Sequence, residues 1–164
     1  MTESHHTPFI QKTQDLSVES FKKAIGSQGV LMGIDYGSVR IGLALTDPGR
    51  NQAAPFKIIS KMTELDDIVP AKNVVGFVLG MPLQPDNTEG KTAHQARLFA
   101  ERLTEKFHLP ILWIDERYSS IATESYLETV CFMRPERRKQ VLDAHVAARL
   151  LTRALAILKS EKFV

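Results

Sequence analysis

The segment GVLMGIDYGSVRIGLAL, residues 29–45, restricts the fold of this chain more than any other stretch. Two apolar runs, 30–32 and 41–45, flank a polar turn that contains glycine, and this pattern predicts a β-hairpin. One carboxylate, Asp35, stands where the first run ends. Because burying a charge without a partner is strongly unfavourable, a carboxylate at the tip of a buried strand needs an explanation.

After the hairpin the sequence alternates between predicted strands and helices. We predict strands at 53–60, 73–79 and 111–114, and helices at 63–69, from 92 to 107, from 119 or 120 toward 130, and at 138–159. The continuous apolar run at 73–79 indicates an interior strand covered on both faces. Thr92 and Gln95 have the form of a capping box for the helix that starts there. Two late strand–helix units favour parallel strands, so we predict an α/β protein.

A chain of 164 residues has room for one domain with a sizeable core. We predict an N-terminal extension at 1–28 and a domain at 29–164. The extension contains a short predicted helix that begins after Ser17 and ends at Gly26. The formal net charge of +2 permits a polyanionic partner without requiring one.

Neither a membrane span nor a signal peptide is predicted. No stretch approaches the ~18 consecutive apolar residues of a membrane span, and the first residues lack the apolar core of a signal peptide. We therefore expect a cytoplasmic protein with no membrane partner. The single cysteine, Cys131, excludes an internal disulfide and is predicted to be buried.

Acidic residues follow two predicted strands and also lie on the last predicted helix. Asp35 ends the first strand, and Asp115 and Glu116 end the strand at 111–114. The last helix has one largely apolar face, which must pack on the sheet. That face consists of Asp143, Ala147, Leu150, Leu151, Ala154 and Leu158. Because functional groups of open α/β sheets collect at the carboxyl ends of the strands, we expect these carboxylates to converge.

Converging carboxylates repel one another and have raised pKa values unless a cation lies between them. Oxygen ligands with few histidines nearby favour Mg²⁺ or Mn²⁺ over Zn²⁺. Two such ions about 4 Å apart can activate water and stabilise the leaving oxygen in phosphodiester hydrolysis. The pattern therefore predicts that Asp35 is a metal ligand held by a rigid strand.

Each acid also has a purely structural interpretation, and the sequence leaves these alternatives open. Asp35 could bond the amides of the turn that follows it. Glu116 could pair with Arg117 or Arg40 at the surface. Asp143 could favour the positive end of its helix.

Four segments, in order, resemble the YqgF/RuvX-like family, which is related to RuvC-type resolvases within the RNase H-like superfamily. The segments are GIDYGSVRIGLAL (33–45), VLGMPLQPDNTEG (78–90), DERYSS (115–120) and RRKQVLDAHVAARLL (137–151). The resemblance spans about residues 30–158. It implies that Asp35, Glu116 and Asp143 are the catalytic and metal-binding residues. It also implies an RNase H-like fold: a five-stranded mixed sheet, flanked by helices, whose first three strands form an antiparallel meander.

The resemblance implies a nuclease that processes the 5′ end of pre-16S ribosomal RNA in ribosome biogenesis. Two alternatives remain open, namely Holliday junction resolution and a non-catalytic RNA-binding role in ribosome assembly. The sequence distinguishes neither RNA from branched DNA nor a monomer from a homodimer. The opening hairpin also resembles the phosphate-binding hairpin of the actin and sugar-kinase superfamily, but that superfamily needs two lobes and this chain has room for one.

Substrate contacts are predicted on both sides of the acids. Arg138 and Lys139 belong to a basic run before Asp143 that could bind a phosphate backbone or form a solvated loop. Arg117, beside Glu116, could position substrate or neutralise its acidic neighbours. Asn87, which stands where the family commonly has glycine, lies in a loop that could contact sugar or phosphate or serve as a turn.

Overall fold

The computed structural model describes residues 16–116, 123, 125–128 and 131–160. Its centre is a five-stranded sheet in the order β3-β2-β1-β4-β5. The strands are β1 (Val30–Tyr36), β2 (Ile41–Thr46), β3 (Ala53–Ile59), β4 (Val74–Met81) and β5 (Ile111–Asp115). β1, β2 and β3 pair antiparallel, whereas β4 runs parallel to both β1 and β5. The predicted mixed sheet with an antiparallel meander is confirmed, and β4 is an interior strand as predicted.

Helices cover both faces of this sheet. They are α1 (Val18–Ile25), a 3₁₀ turn (Met62–Glu64), α2 (Leu65–Ala71), α3 (Lys91–Phe107) and α4 (Pro135–Ser160). Residues 125–128 are also helical, and the rest of the helix predicted toward 130 lies outside the described residues. The short helix predicted after Ser17 is confirmed, since the Ser17 hydroxyl accepts a bond from the N–H of Ser20.

Three local predictions were wrong. The N-cap of α3 is Gly90, so Thr92 lies inside the first turn and forms no capping box. Helix α2 continues through Pro70 because the N–H of Lys72 donates to the Ile68 carbonyl beyond it (2.9 Å). Cys131 is exposed, because it lies in the turn before α4 and not on an apolar face.

Alternating side chains of each strand pack into two separate cores. Leu31 of β1 and Val78 of β4 face α1 and α4, and this core continues through Leu150, Leu151 and Ala154. Met32 and Ile34 of β1 face α3 together with the other buried residues of that side. The inner strands of the sheet are therefore sandwiched between helical layers, whereas the edge strand β3 is largely exposed.

Helix α4 runs antiparallel to β1 along the length of the sheet. Its Asp143 backbone lies against Gly42 near the carboxyl end of β1, and its Ala147 carbonyl lies against Gly33 further down. Leu155 and Leu158 reach the end of α1 at Ile25. Because Asp143 is already near the carboxyl edge of β1, the turns of α4 that precede it extend beyond that edge.

Within the residues that the structure describes, none of the helices is long and apolar enough to cross a lipid bilayer.

Candidate active site

Asp35 is flanked by a glycine on each of the two neighbouring strands. It is the penultimate residue of β1, and its antiparallel partner on β2 is Gly42. On the other side, the parallel register with β4 places Gly80 at the same level. Because both neighbours are glycines, the α4 face of the sheet has open space on each side of this carboxylate.

The space over Gly80 is occupied by the carboxylate of Glu116. A Cβ atom at Gly80 would collide with Glu116 Oε2 and lie 2.8 Å from Leu150 Cδ1. Glu116 directly follows β5, and its N–H donates to the Met81 carbonyl at 3.2 Å. The end of β5 thus directs the Glu116 side chain across β4 toward Asp35.

The space over Gly42 is occupied by helix α4. A Cβ atom at Gly42 would collide with the backbone of Asp143, and one at Gly33 would lie 2.7 Å from the Ala147 carbonyl oxygen. Glycine at these two positions lets the helix approach the sheet closely. This close approach places the third predicted acid beside the first.

Asp35 is surrounded by negative charge. Burial, the charges of Glu116 and Asp143, and a hydrogen bond with Glu116 raise the pKa of Asp35 to about 8. Burial also raises the pKa of Glu116, with a contribution from the charge of Asp115, although its hydrogen bond with Asp35 acts in the opposite direction. At neutral pH the Asp35–Glu116 pair therefore holds a proton between its two carboxyl groups.

These pKa shifts bear on the alternative interpretation of Asp35. Hydrogen bonds from turn amides stabilise a carboxylate and lower its pKa, as the backbone amides of Asn51 and Gln52 do for Asp47. For Asp35 the contributions all raise the pKa. Its environment is thus set by the other acids rather than by the turn.

Asp143 has a basic partner, Arg40, at the start of the β2 side of the hairpin. Arg40 Nε donates to Asp143 Oδ2 at 3.0 Å, and the two side chains are 57% and 21% exposed. The sequence had also left open a pairing of Arg40 with Glu116, but Arg40 is bonded to Asp143 instead. The helix-dipole alternative for Asp143 fails as well, since α4 begins at Pro135 and the dipole acts mainly within the first turn.

A divalent cation at this site would need oxygen ligands from several side chains. Across residues 16–116, 123, 125–128 and 131–160, no three acid, histidine or cysteine side chains converge closely enough to enclose a metal ion. Two carboxylates, Asp35 and Glu116, do meet, and the third belongs to Asp143, which is turned to Arg40. A raised pKa on paired carboxyl groups marks a place where positive charge is favoured, so the Asp35–Glu116 pair is compatible with a cation that takes oxygen ligands.

Two of the residues predicted to bind substrate, Arg138 and Asn87, make contacts with nearby backbone. Arg138 is half-buried and donates to the Met133 carbonyl at 2.8 Å. Asn87 has a left-handed backbone (φ 69°), and its N–H donates to the Gln84 carbonyl at 2.9 Å. Arg117 and the side chain of Lys139 lie outside the described residues.

Sequence reasoning missed two contributors to this site, Gly42 and Gly80, and it offered Arg40 as a partner of Glu116 rather than of Asp143. A glycine inside an otherwise apolar strand marks a close approach of backbone or ligand, and both glycines carry that signal. No comparable signal identifies the partner of Arg40, because its bond to Asp143 joins residues 103 positions apart.

The chain is similar to a known protein family and to several known proteins. A family model described as "RuvX: Holliday junction resolvase" matches residues 29–157. A Cereibacter sphaeroides protein named "Putative pre-16S rRNA nuclease" is 41% identical over 138 residues, which cover 80% of this chain and 85% of the relative. A Bradyrhizobium sp. protein of the same name is 39% identical over 135 residues, covering 78% and 83%. The solved structure "T. thermophilus RuvC in complex with Holliday junction substrate" aligns over 79% of this chain and 96% of that chain, with 12% identity and a TM-score of 0.49.

Proposed function

This chain belongs to the RuvX family, and from this premise we propose that it is a nuclease that hydrolyses phosphodiester bonds in structured nucleic acid. The observation that carries the proposal is the meeting of Asp35 and Glu116, with Asp143 beside them, at the carboxyl edge of the sheet. The meeting of Asp35 and Glu116, with the charge of Asp143 acting on Asp35, destabilises the fold, which supports a use of these acids in chemistry.

We assign Asp35, Glu116 and Asp143 as the catalytic residues and as the ligands of a divalent cation, Mg²⁺ or Mn²⁺. Asp35 and Glu116 would hold it directly, and Asp143 would join them on leaving Arg40. When bound, such a cation lowers the pKa of a water molecule and stabilises the charge that develops on the phosphate oxygens.

The other residues of the site contribute charge and position. Arg40 balances the charge of Asp143, and its exposed guanidinium can meet a phosphate oxygen of an approaching substrate. We further propose that Arg117, Arg138, Lys139 and Asn87 bind the nucleic-acid backbone, which would give affinity that depends on salt and little on sequence.

We propose pre-16S ribosomal RNA as the substrate, cut at its 5′ end during ribosome biogenesis. Support comes from the two relatives at 41% and 39% identity, whose shared name specifies that RNA. This substrate implies that the protein works in the bacterial cytoplasm. Holliday junction resolution is the second candidate, because the description of the matching family model names it.

The deciding experiment compares wild type with Asp35→Asn on a precursor ribosomal RNA and on a four-way DNA junction. Each substrate is incubated with Mg²⁺, with Mn²⁺ and with a chelator. We expect metal-dependent cleavage of the RNA by the wild type and a loss of at least about 100-fold in Asp35→Asn, since removing a ligand or base typically has that effect. Asp67→Asn, the same chemical change at an exposed aspartate of α2, is the matched control.

The possible outcomes separate the candidate functions. Preferential cutting of the junction would replace the RNA substrate with the recombination role. If the wild type binds RNA but cuts neither substrate under any metal condition, the nuclease proposal is wrong and a non-catalytic assembly factor takes its place.

A further inference from the structure

Phe132 is the most exposed large apolar side chain of the described residues. It is 86% exposed, whereas the other exposed phenylalanine, Phe56, is 38% exposed. Its backbone is left-handed (φ 52°), a conformation that is costly for a bulky side chain. A residue that combines strain with full exposure of an aromatic ring gains nothing from packing, so an external partner is the better explanation.

The ring of Phe132 stands on a fixed turn. On one side the N–H of Cys131 donates to the Tyr126 carbonyl (3.3 Å), and on the other the N–H of Met133 donates to the Leu127 carbonyl (2.8 Å). The Arg138 guanidinium reaches back from α4 to the Met133 carbonyl at 2.8 Å. These three bonds hold the backbone around the phenylalanine and leave its side chain in solvent.

The surroundings of Phe132 are basic. Arg134 and Arg137 are exposed, and Arg138 lies in the same turn of chain, against one acidic side chain, Glu136. An exposed aromatic ring beside exposed arginines is the combination that binds single-stranded nucleic acid, because bases stack on the ring and phosphates pair with the cations. Protein interfaces also contain aromatic and arginine side chains, but three arginines to one acid favour a polyanion as the partner.

Phe132 belongs to the segment that leads into α4, the helix that carries Asp143 to the other acids. Pro135 and Asp143 are separated by about 12 Å along the helix at 1.5 Å per residue. A strand bound at the acids could therefore reach the turn within a few nucleotides.

We propose that Phe132 stacks on an unpaired base of the nucleic-acid substrate, while Arg134 and Arg137 bind the phosphates on either side of that base. This inference rests on the proposed function and adds to it a requirement that the substrate be unpaired near the cut. The occupant of this surface is thus a single-stranded segment of nucleic acid and not a second protein.

The test measures binding of the full-length protein to RNA in the presence of chelator, so that no cleavage takes place. The probes are a single-stranded RNA containing 2-aminopurine and the same strand in a full duplex. Phe132→Leu retains an apolar side chain but lacks the aromatic face, and Phe132→Trp retains the face. Phe56→Leu is the matched control at a distant exposed phenylalanine, and thermal melting checks that each variant is folded.

We expect Phe132→Leu to weaken single-strand binding about tenfold, to abolish the 2-aminopurine quenching and to leave duplex binding unchanged. Phe132→Trp and Phe56→Leu should bind as wild type. Replacing Arg134 and Arg137 with glutamine should lower the slope of log Kd against log salt by about 1.4.

Three results would count against the proposal, each in a different way. Equal single-strand affinity of wild type and Phe132→Leu would overturn the stacking role and leave the nuclease function standing. A loss of self-association in Phe132→Leu, with RNA affinity unchanged, would make the ring a protein interface. If the wild type bound no nucleic acid, the proposed function itself would be wrong, and the stacking site with it.

Discussion

Asp35 is a carboxyl group whose nearest charged neighbours are other acids, which is the reverse of a stabilising arrangement. Its pKa of about 8 lies far above the ordinary value near 3.8 because of burial and of Glu116 and Asp143. The folded protein therefore keeps a proton here that the unfolded chain releases above about pH 4. Between these two pH values unfolding releases a proton, so the free energy of unfolding falls as the pH rises.

We predict that Asp35→Asn removes this pH dependence and stabilises the metal-free protein at pH 8. The melting temperature of the wild type should fall by roughly 7–15 °C relative to the variant between pH 5 and pH 8, because retaining one proton over this range corresponds to about 4 kcal/mol and each kcal/mol is about 2–4 °C for a chain of this size. Melting curves recorded with chelator at several pH values measure the difference. Parallel curves for the two proteins would show that Asp35 titrates normally.

At this site the acidic residues could be predicted where they end an apolar strand or interrupt an apolar helix face. Strand ends and helical spacing pointed to Asp35, to the pair Asp115 and Glu116, and to Asp143, and the resemblance to the RuvX-like family selected Glu116 from that pair. The partner of Arg40 could not be predicted. Glu116 and Asp143 are equivalent candidates in the sequence, and only the packing of α4 on β2 decides between them.

At the scale of the elements, the site depends on how closely α4 approaches the sheet. Gly42 of β2 touches the backbone of Asp143, and Gly33 of β1 lies under Ala147. Backbone on one side and glycine on the other leave no atom that can move aside. The close approach that these glycines allow therefore sets the position of the Asp143 backbone, and the bond from Arg40 holds its side chain.

We predict that Gly42→Ala destabilises the protein by about 3 kcal/mol, since overpacking against rigid backbone forces the helix away from the sheet. Gly49→Ala is the control, because a Cβ there meets the end of Asn51 at 3.0 Å and of Asp47 at 3.3 Å, both of which can shift. Denaturant titration gives the free energy of unfolding of both. Similar losses in the two variants would contradict the close-approach argument.

The strands could be predicted from the sequence more reliably than the helix ends. Apolar runs of strand length specify a buried strand directly, and all five are present. The start of α3 was mispredicted because Gly90 provides the extended backbone of an N-cap without any capping side chain. A helix cap formed without a side chain requires no particular capping residue, so it is hard to predict from a sequence.

At the scale of the whole molecule, α1 joins the N-terminal extension to the sheet. Phe21 and Ile25 are buried and lie over Gly76 of β4. Arg50 also clamps the end of this helix, donating to the carbonyls of Ile25, Gly26 and Gly29 at 2.8 Å each. Helix α1 thus packs as part of the core, although the family match begins only at residue 29.

We predict that Phe21→Ala lowers the free energy of unfolding by about 3–5 kcal/mol, as expected for removing a fully buried phenylalanine. Lys23→Ala, an exposed residue of the same helix, should change it by less than about 0.5 kcal/mol. Denaturant unfolding of the two variants makes the comparison. A loss below about 1 kcal/mol for Phe21→Ala would show that residues 1–28 are separable from the domain, as their division at residue 28 proposes.

Because glycines flank Asp35, this acid can be replaced without disturbing the fold, but the glycines cannot be replaced without disturbing the acids. A side chain at Gly42 or Gly80 would fill the space beside Asp35 and disturb both the packing and the acids. Substituting Asp35 leaves the packing in place and relieves the repulsion between acids. A substitution that removes Asp35, and with it the proposed activity, is therefore expected to raise the free energy of unfolding. Inactive descendants of such a protein would be at least as stable as the enzyme, so overall shape would be a poor guide to which members of a lineage still cut nucleic acid.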